Sequence, residues 1–187
     1  DDVAQEADPD LTDESAAREW IESSPEAFCN TSDARILAQV LNNYDRETAD
    51  FYRWEVEYTR SELADIVKER SGIDFGDIVD LVPLKRGVSG RIYELEIRGT
   101  KRTMTVGKEL EIRRTLSRSH LYSSAFVVER HDLDAAGIPG RFTLRGAGWG
   151  HGVGLCQIGA AVMGDRGYRY NEILHHYYPG TEIKKLY

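Results

Sequence analysis

The chain has 187 residues, 41% of them hydrophobic and 30% charged, and a formal net charge of −8. That size and apolar share support one large domain, or a domain with an accessory piece, around a sizeable core, and they exclude global disorder. The acidic balance argues against a general binder of nucleic acid or anionic membrane, and no apolar run reaches the length of a bilayer.

Acid is concentrated at the start, where Arg18 is the only basic residue from Asp1 to Asn30. No signal peptide begins the sequence, so Asp1 reads as a processing or proteolysis boundary with residues missing upstream. Asp1 to Asp10 reads as a mobile acidic lead-in. Thr12 is placed to cap a helix through Ala16, Ala17, Trp20 and Ile21, which Ser24-Pro25 ends. Ile36 to Leu41 makes another helical turn or two, stopped by Asn42-Asn43. From Phe51 to Tyr58 the chain alternates, with Tyr52, Trp54, Val56 and Tyr58 on one face, as a half-buried strand does. Thr59 or Ser61 then caps a helix carrying Leu63, Ile66 and Val67, and Gly72 closes it.

Strands follow at Ile78 to Leu84, Arg91 to Arg98 and Lys101 to Val106, with Arg98-Gly99-Thr100-Lys101 as a hairpin. Gly107 to Leu116 reads as a short helix, and Tyr122 to Val128 and Arg141 to Arg145 as two more strands. A helix from about Leu155 to Met163, one from Asn171 to Tyr178 and an extended tail, Thr181 to Tyr187, complete the chain. The sum is α+β: short strands in a twisted mixed sheet or small barrel, with helices packed over it. Residues 1–50 read as an acidic lead-in with short helices, and residues 51–187 as the main domain. Cys29 and Cys156, distant in sequence, read as two buried thiols rather than as a pair.

One run stands apart: Gly148-Trp149-Gly150-His151-Gly152-Val153-Gly154-Leu155-Cys156-Gln157. Alternating glycines pack poorly in a strand and cost entropy, so they imply a backbone held close to something. His151, between two glycines, serves either as an acid, base or hydrogen-bond donor, or as a structural histidine on a loop carbonyl. Gln157 either reads a sugar hydroxyl or amide, or caps backbone groups. The amides of Gly152 to Leu155 lead into a helix start that favours carboxylates or carbonyls. No Gly-Lys-Ser/Thr follows, which removes a phosphate loop. His151, Cys156, His175 and His176 lack the spacing of a zinc site, so no metal is expected. Tyr168, Tyr170, Tyr177 and Tyr178 suit either sugar stacking or a core rim. Arg113-Arg114 is either a clamp for a carboxylate or lactyl group or a solvated charge run.

The run from Gly148 to Ala161, with Gly167-Tyr168 and the segment Ile173-Leu174-His175-His176-Tyr177-Tyr178-Pro179-Gly180-Thr181-Glu182-Ile183, resembles the C-terminal signature of the stage II sporulation protein D family, which includes the amidase enhancers. Gly107 to Leu116 followed by Leu121-Tyr122-Ser123-Ser124-Ala125-Phe126 is similar to that family's arginine and Leu-x-Ser-x-x-Phe region. The resemblance runs from about Tyr52 to the end. Cys156 stands where many relatives carry serine.

The resemblance implies an exported protein of the cell envelope. Sporulation members are lytic transglycosylases acting on peptidoglycan glycan strands stripped of their stem peptides. One protonated glutamate serves, and the sugar's own 6-hydroxyl attacks to leave a 1,6-anhydro end, unlike the two-carboxylate scheme of ordinary glycoside hydrolysis. Such an acid needs a raised pKa. No segment here resembles the family's helical catalytic-glutamate stretch or the cysteine and histidine cluster that binds zinc in some members. The expectation is therefore a C-terminal portion supplying the substrate cleft, with the catalytic acid upstream. The alternative is a non-catalytic peptidoglycan-binding or amidase-enhancing module. The residues expected to bind substrate are Trp149, Gly150, His151, Gly152, Gly154, Gln157, Arg113, Ser123, Tyr168 and Tyr177. Implied partners are glycan strands and a cell-wall amidase, with no nucleic acid and no cofactor.

Overall fold

The computed structural model describes residues 9–40 and 51–184. The lead-in before residue 9, the Asn42-Asn43 stop and the last three residues of the tail lie outside the described residues. In chain order the elements are α1 (Glu14–Ser23), α2 (Ala34–Val40), β1 (Arg53–Thr59), α3 (Arg60–Ser71), β2 (Ile78–Arg86) and β3 (Ile92–Gly99). They continue with β4 (Thr103–Gly107), α4 (Glu109–Thr115), β5 (Phe126–His131), β6 (Arg141–Ala147), α5 (Gln157–Asp165) and α6 (Tyr170–Tyr177).

The class is α+β, but the strands form two three-stranded sheets, ordered β1-β6-β5 and β2-β3-β4. Every pairing is antiparallel, so the expected mixed sheet is absent among the described residues, and neither sheet closes into a barrel. Connectivity accounts for part of this: β2, β3 and β4 follow one another through links of a few residues, and β5 and β6 through residues 132–140, links too short for a parallel crossover.

The chain divides into two compact units, Asp1–Ser24 with Arg53–Gly152, and Pro25–Tyr52 with Val153–Tyr187. The first unit holds both sheets. Its core gathers Trp54 and Tyr58 from β1, Leu63, Ile66 and Val67 from α3, Leu95 and Ile97 from β3, and Phe126, Phe142 and Leu144. The alternation of β1 is realised, with Trp54 and Tyr58 buried while Glu55 and Glu57 face water. Outward carboxylates of β1 meet arginines of β6, Glu55 with Arg145 at 2.7 Å and Glu57 with Arg141 at 2.6 Å.

Thr59 caps α3 with a reciprocal box, its side chain accepting the Glu62 N–H while Glu62 reaches back, and Gly72 ends the helix at φ +71°. At α1 the cap is Asp13, which accepts from Ser15 and Ala16. Thr12 does not cap, because its hydroxyl is engaged with Asp10 at 2.6 Å. Arg53 closes the other end of α1, its guanidinium donating to the carbonyls of Ile21 (2.7 Å) and Trp20 (2.8 Å). A second link holds α1 to the sheets: Arg86, at the end of β2, pairs with Glu14 through two bonds of 2.6 and 2.9 Å. The same guanidinium donates to the carbonyls of Gly90 (2.8 Å) and Phe126 (2.7 Å).

In the second unit α2 packs on α5, and α5 on α6. Its small core is Leu37, Phe51 and Ile158, with Cys29, Val40 and Cys156 packed against it. The last helix begins at Tyr170 rather than after an Asn171 cap, because Glu172 accepts the Arg169 N–H at 2.6 Å and fixes the start two residues earlier.

Candidate functional site

The glycine run leaves β6 as a loop. Gly148, Gly150, Gly152 and Gly154 have φ of +69°, +82°, +72° and +84°, the left-handed region that side chains disfavour. The alternation seen in sequence is thus a backbone requirement. The loop belongs to the first unit up to Gly152, and the chain enters the second at Val153.

In the first unit an aromatic ladder runs from core to surface. Phe126 lies 6.3 Å from Trp54, Trp54 5.5 Å from Tyr122, and Tyr122 4.8 Å from Trp149, centroid to centroid. Trp54 is 4% exposed and Trp149 39%, so the last rung offers part of its indole to solvent. The indole N–H of Trp54 donates to the Gly148 carbonyl at 3.2 Å. The Gly150 N–H donates to the Tyr122 carbonyl at 2.8 Å. Just before the loop, Gly146 lies under the Trp54 ring, where a side chain at 146 would overlap the indole. His151, two residues after Trp149, is exposed.

Sequence reasoning missed Arg91, whose only signal was its position between a Gly87–Gly90 turn and a strand. Its Nε donates to the Gly150 carbonyl at 3.0 Å and its Nη1 to the Ser89 carbonyl at 3.1 Å. A Cβ at Gly152 would overlap that guanidinium.

Ser123 and Arg113 are placed differently from the expectation. Ser123 is fully buried, its hydroxyl donating to the Ala147 carbonyl at 2.8 Å and accepting from the Ala125 N–H at 3.1 Å. It locks the chain before β5 to the end of β6 and offers no surface to a ligand. Arg113 is turned inward, 12% exposed, donating to the Leu121 carbonyl at 2.7 Å and paired with Glu109 at 3.1 Å. Its fork secures the segment after α4, which leaves no clamp for a carboxylate. Arg114 is exposed and pairs with Glu111 at 3.0 Å.

The remaining candidates lie in the second unit. Gln157 is the exposed first residue of α5, and the cap is Cys156, whose Sγ accepts the Gly159 N–H at 3.4 Å. Tyr177 is half-buried with its hydroxyl over Gly159, where a Cβ would overlap it, and burial pushes its ionisation well above the usual tyrosine range. Tyr168 is 43% exposed and meets Phe28 edge-on at 5.6 Å, as His176 does at 5.3 Å. The Tyr178 hydroxyl accepts the Leu155 N–H at 3.2 Å, beside Gly154.

Among the described residues no three His, Cys, Asp or Glu side chains gather as a metal ion would need. Among the described residues, the carboxylates that depart from ordinary acidity lie below it. A Thr12 hydroxyl holds Asp10 down, Arg35 does so for Asp33, Thr59 for Glu62, Lys101 for Asp74 and the Ile138 N–H for Asp134. That direction is opposite to what a protonated general acid requires.

Residues 1–154 match a family described as a domain of unknown function, DUF8618, and the chain belongs to that family. It is also related to the stage II sporulation protein D family. Over 70 residues, 37% of the chain, it is 34% identical to the protein named Amidase enhancer of Bacillus subtilis (strain 168). Over 79 residues, 42% of the chain, it is 34% identical to Stage II sporulation protein D of Bacillus amyloliquefaciens. These matches span 9% and 21% of the two relatives.

Proposed function

We propose that the chain supplies a glycan-binding surface to a cell-wall protein of the stage II sporulation protein D type, a lytic transglycosylase of peptidoglycan acting in the cell envelope. The observation that carries this reading is the half-open Trp149 indole at the end of an aromatic ladder, with exposed His151 two residues on. An indole backed by two rings gives a sugar face a rigid, low-entropy stacking partner. An imidazole at that distance along the chain donates or accepts one hydrogen bond to a hydroxyl or acetamido group. The names of the two relatives supply the cell-wall context.

A second reading has a specific observation in its favour. One of the two relatives is named Amidase enhancer, which suits a non-catalytic peptidoglycan-binding or amidase-enhancing module. Binding and chemistry are separable in one experiment. Purified glycan strands without stem peptides are titrated against the chain by calorimetry, and the products are examined by mass spectrometry for 1,6-anhydro ends. Trp149→Ala and His151→Ala are each expected to weaken binding about tenfold. His151→Ala, at an exposed position, should move the melting temperature by no more than about 2 °C, whereas Trp149→Ala also loses the stack on Tyr122 and should lower it by roughly 2–8 °C. Anhydro ends support the transglycosylase, and binding without them supports the module. Absence of binding, or binding by both variants as tight as that of the unaltered chain, rejects the glycan surface altogether.

A further inference from the structure

Hydrogen bonds to its backbone hold the loop that carries Trp149 and His151, beside the ring contact of Tyr122 with Trp149. One is donated by the Trp54 indole of β1 to the Gly148 carbonyl, and another by the Gly150 N–H to the carbonyl of Tyr122, in the segment before β5. A third comes from the turn between β2 and β3, where Arg91 spans from the Ser89 carbonyl to the Gly150 carbonyl. A Cβ at Gly148 would lie 3.2 Å from Nη2 of Arg91, and one at Gly152 would overlap Nη1, Cζ and Nε. The flat guanidinium therefore runs along the backbone from 148 to 152, in space that side chains would otherwise take. Glycine at 152 answers two demands together, a φ of +72° and the presence of this group.

We infer that Arg91 is the positioning residue of this loop, setting the direction in which Trp149 and His151 leave the backbone. A guanidinium is suited to the task because its planar fork can lie against peptide groups while donating in two directions. A lysine ammonium is a point charge on a flexible stem and cannot do both. The consequence for ligand binding rests on the glycan reading above. The consequence for loop geometry does not.

The test uses the full chain carrying Arg91→Lys, Arg91→Gln or Arg91→Ala. In nuclear magnetic resonance spectra the indole N–H of Trp149 (assigned with Trp149→Phe) and the ring C–H signals of His151 report the loop, and the amides of β1 and β6 report the core. In all three variants the Trp149 and His151 signals are expected to shift or broaden while the strand amides stay in place. Lysine is expected to fail as a substitute, and titration with stem-free glycan strands should show binding weakened about tenfold. The inference is overturned if Arg91→Lys leaves both signals unchanged, or if the disturbance spreads evenly through the core amides, which is the mark of a merely structural residue. Should Arg91→Ala not fold, the lysine and glutamine variants decide. If the unaltered chain binds no glycan, the functional reading fails alone, and the spectra still settle the role of Arg91.

Discussion

Replacing Glu14 with glutamine removes the counter-charge from a guanidinium that the fold has taken out of water. The Arg86 side chain is 2% exposed and that of Glu14 is 46%, so the pair is neither a surface ion pair nor a fully buried one. Exposed pairs contribute about 0–1 kcal/mol. Stripping the partner from a buried charge costs about 3–5 kcal/mol. With one member half in water, we place Glu14→Gln at about 2 kcal/mol, between those limits. Arg86→Met costs more, about 4 kcal/mol, because the Gly90 and Phe126 carbonyls also lose a donor. The double variant should then be no worse than Arg86→Met alone, since glutamate without its arginine merely faces solvent. Urea unfolding of the four proteins closes the cycle, and hydrogen exchange across α1 shows whether that helix loosens first. A Glu14→Gln effect below about 0.5 kcal/mol would refute the idea that Arg86 depends on its counter-charge.

Two further outcomes follow from the core. Gly146→Ala places a methyl group inside the Trp54 ring, which is held by the Gly148 carbonyl and by neighbouring rings. It should cost about 3 kcal/mol and lower the melting temperature by roughly 6–12 °C, and calorimetry showing no change would contradict the packing described. Burial pushes the Tyr58 hydroxyl from 10.0 to about 12, while the unfolded chain ionises at the ordinary value. The protonated form is thus favoured in the native state. Its contribution is complete below pH 10 and is lost as pH rises through about 12, about 3 kcal/mol in all. Tyr58→Phe should flatten that alkaline decline in urea titrations, at a fixed cost of about 1 kcal/mol for the bond to the Leu116 carbonyl. An unchanged slope would remove Tyr58 as its cause.

Local physics made much of the fold readable. The period of two in β1, the Thr59 and Gly72 caps of α3 and the turn between β3 and β4 are each decided within a few residues, and each formed where expected. Competition between neighbouring polar groups was harder to foresee. Asp10 and Asp13 jointly took the cap from Thr12, and Glu172 took the start of α6 from Asn171. Long-range partners left the weakest trace. Ser123 is a serine for the sake of Ala147, and Arg113 an arginine for the sake of Leu121, yet both resembled ligand contacts in a linear reading. Arg91 shows the same blindness in reverse: a residue without a motif reaches 59 positions along the chain.

The crossing at Val153 bears on how the protein is made and cut. The apolar face of α2 finds its cover in α5, which is synthesised only after the one hundred residues 53–152. At about 5–20 residues per second, Leu37 and Phe51 wait roughly 5–20 s on the ribosome for Ile158. A recombinant fragment trimmed at residue 154, where the family match stops, would never receive that cover, and stickiness in such a fragment would be a product of the scissors.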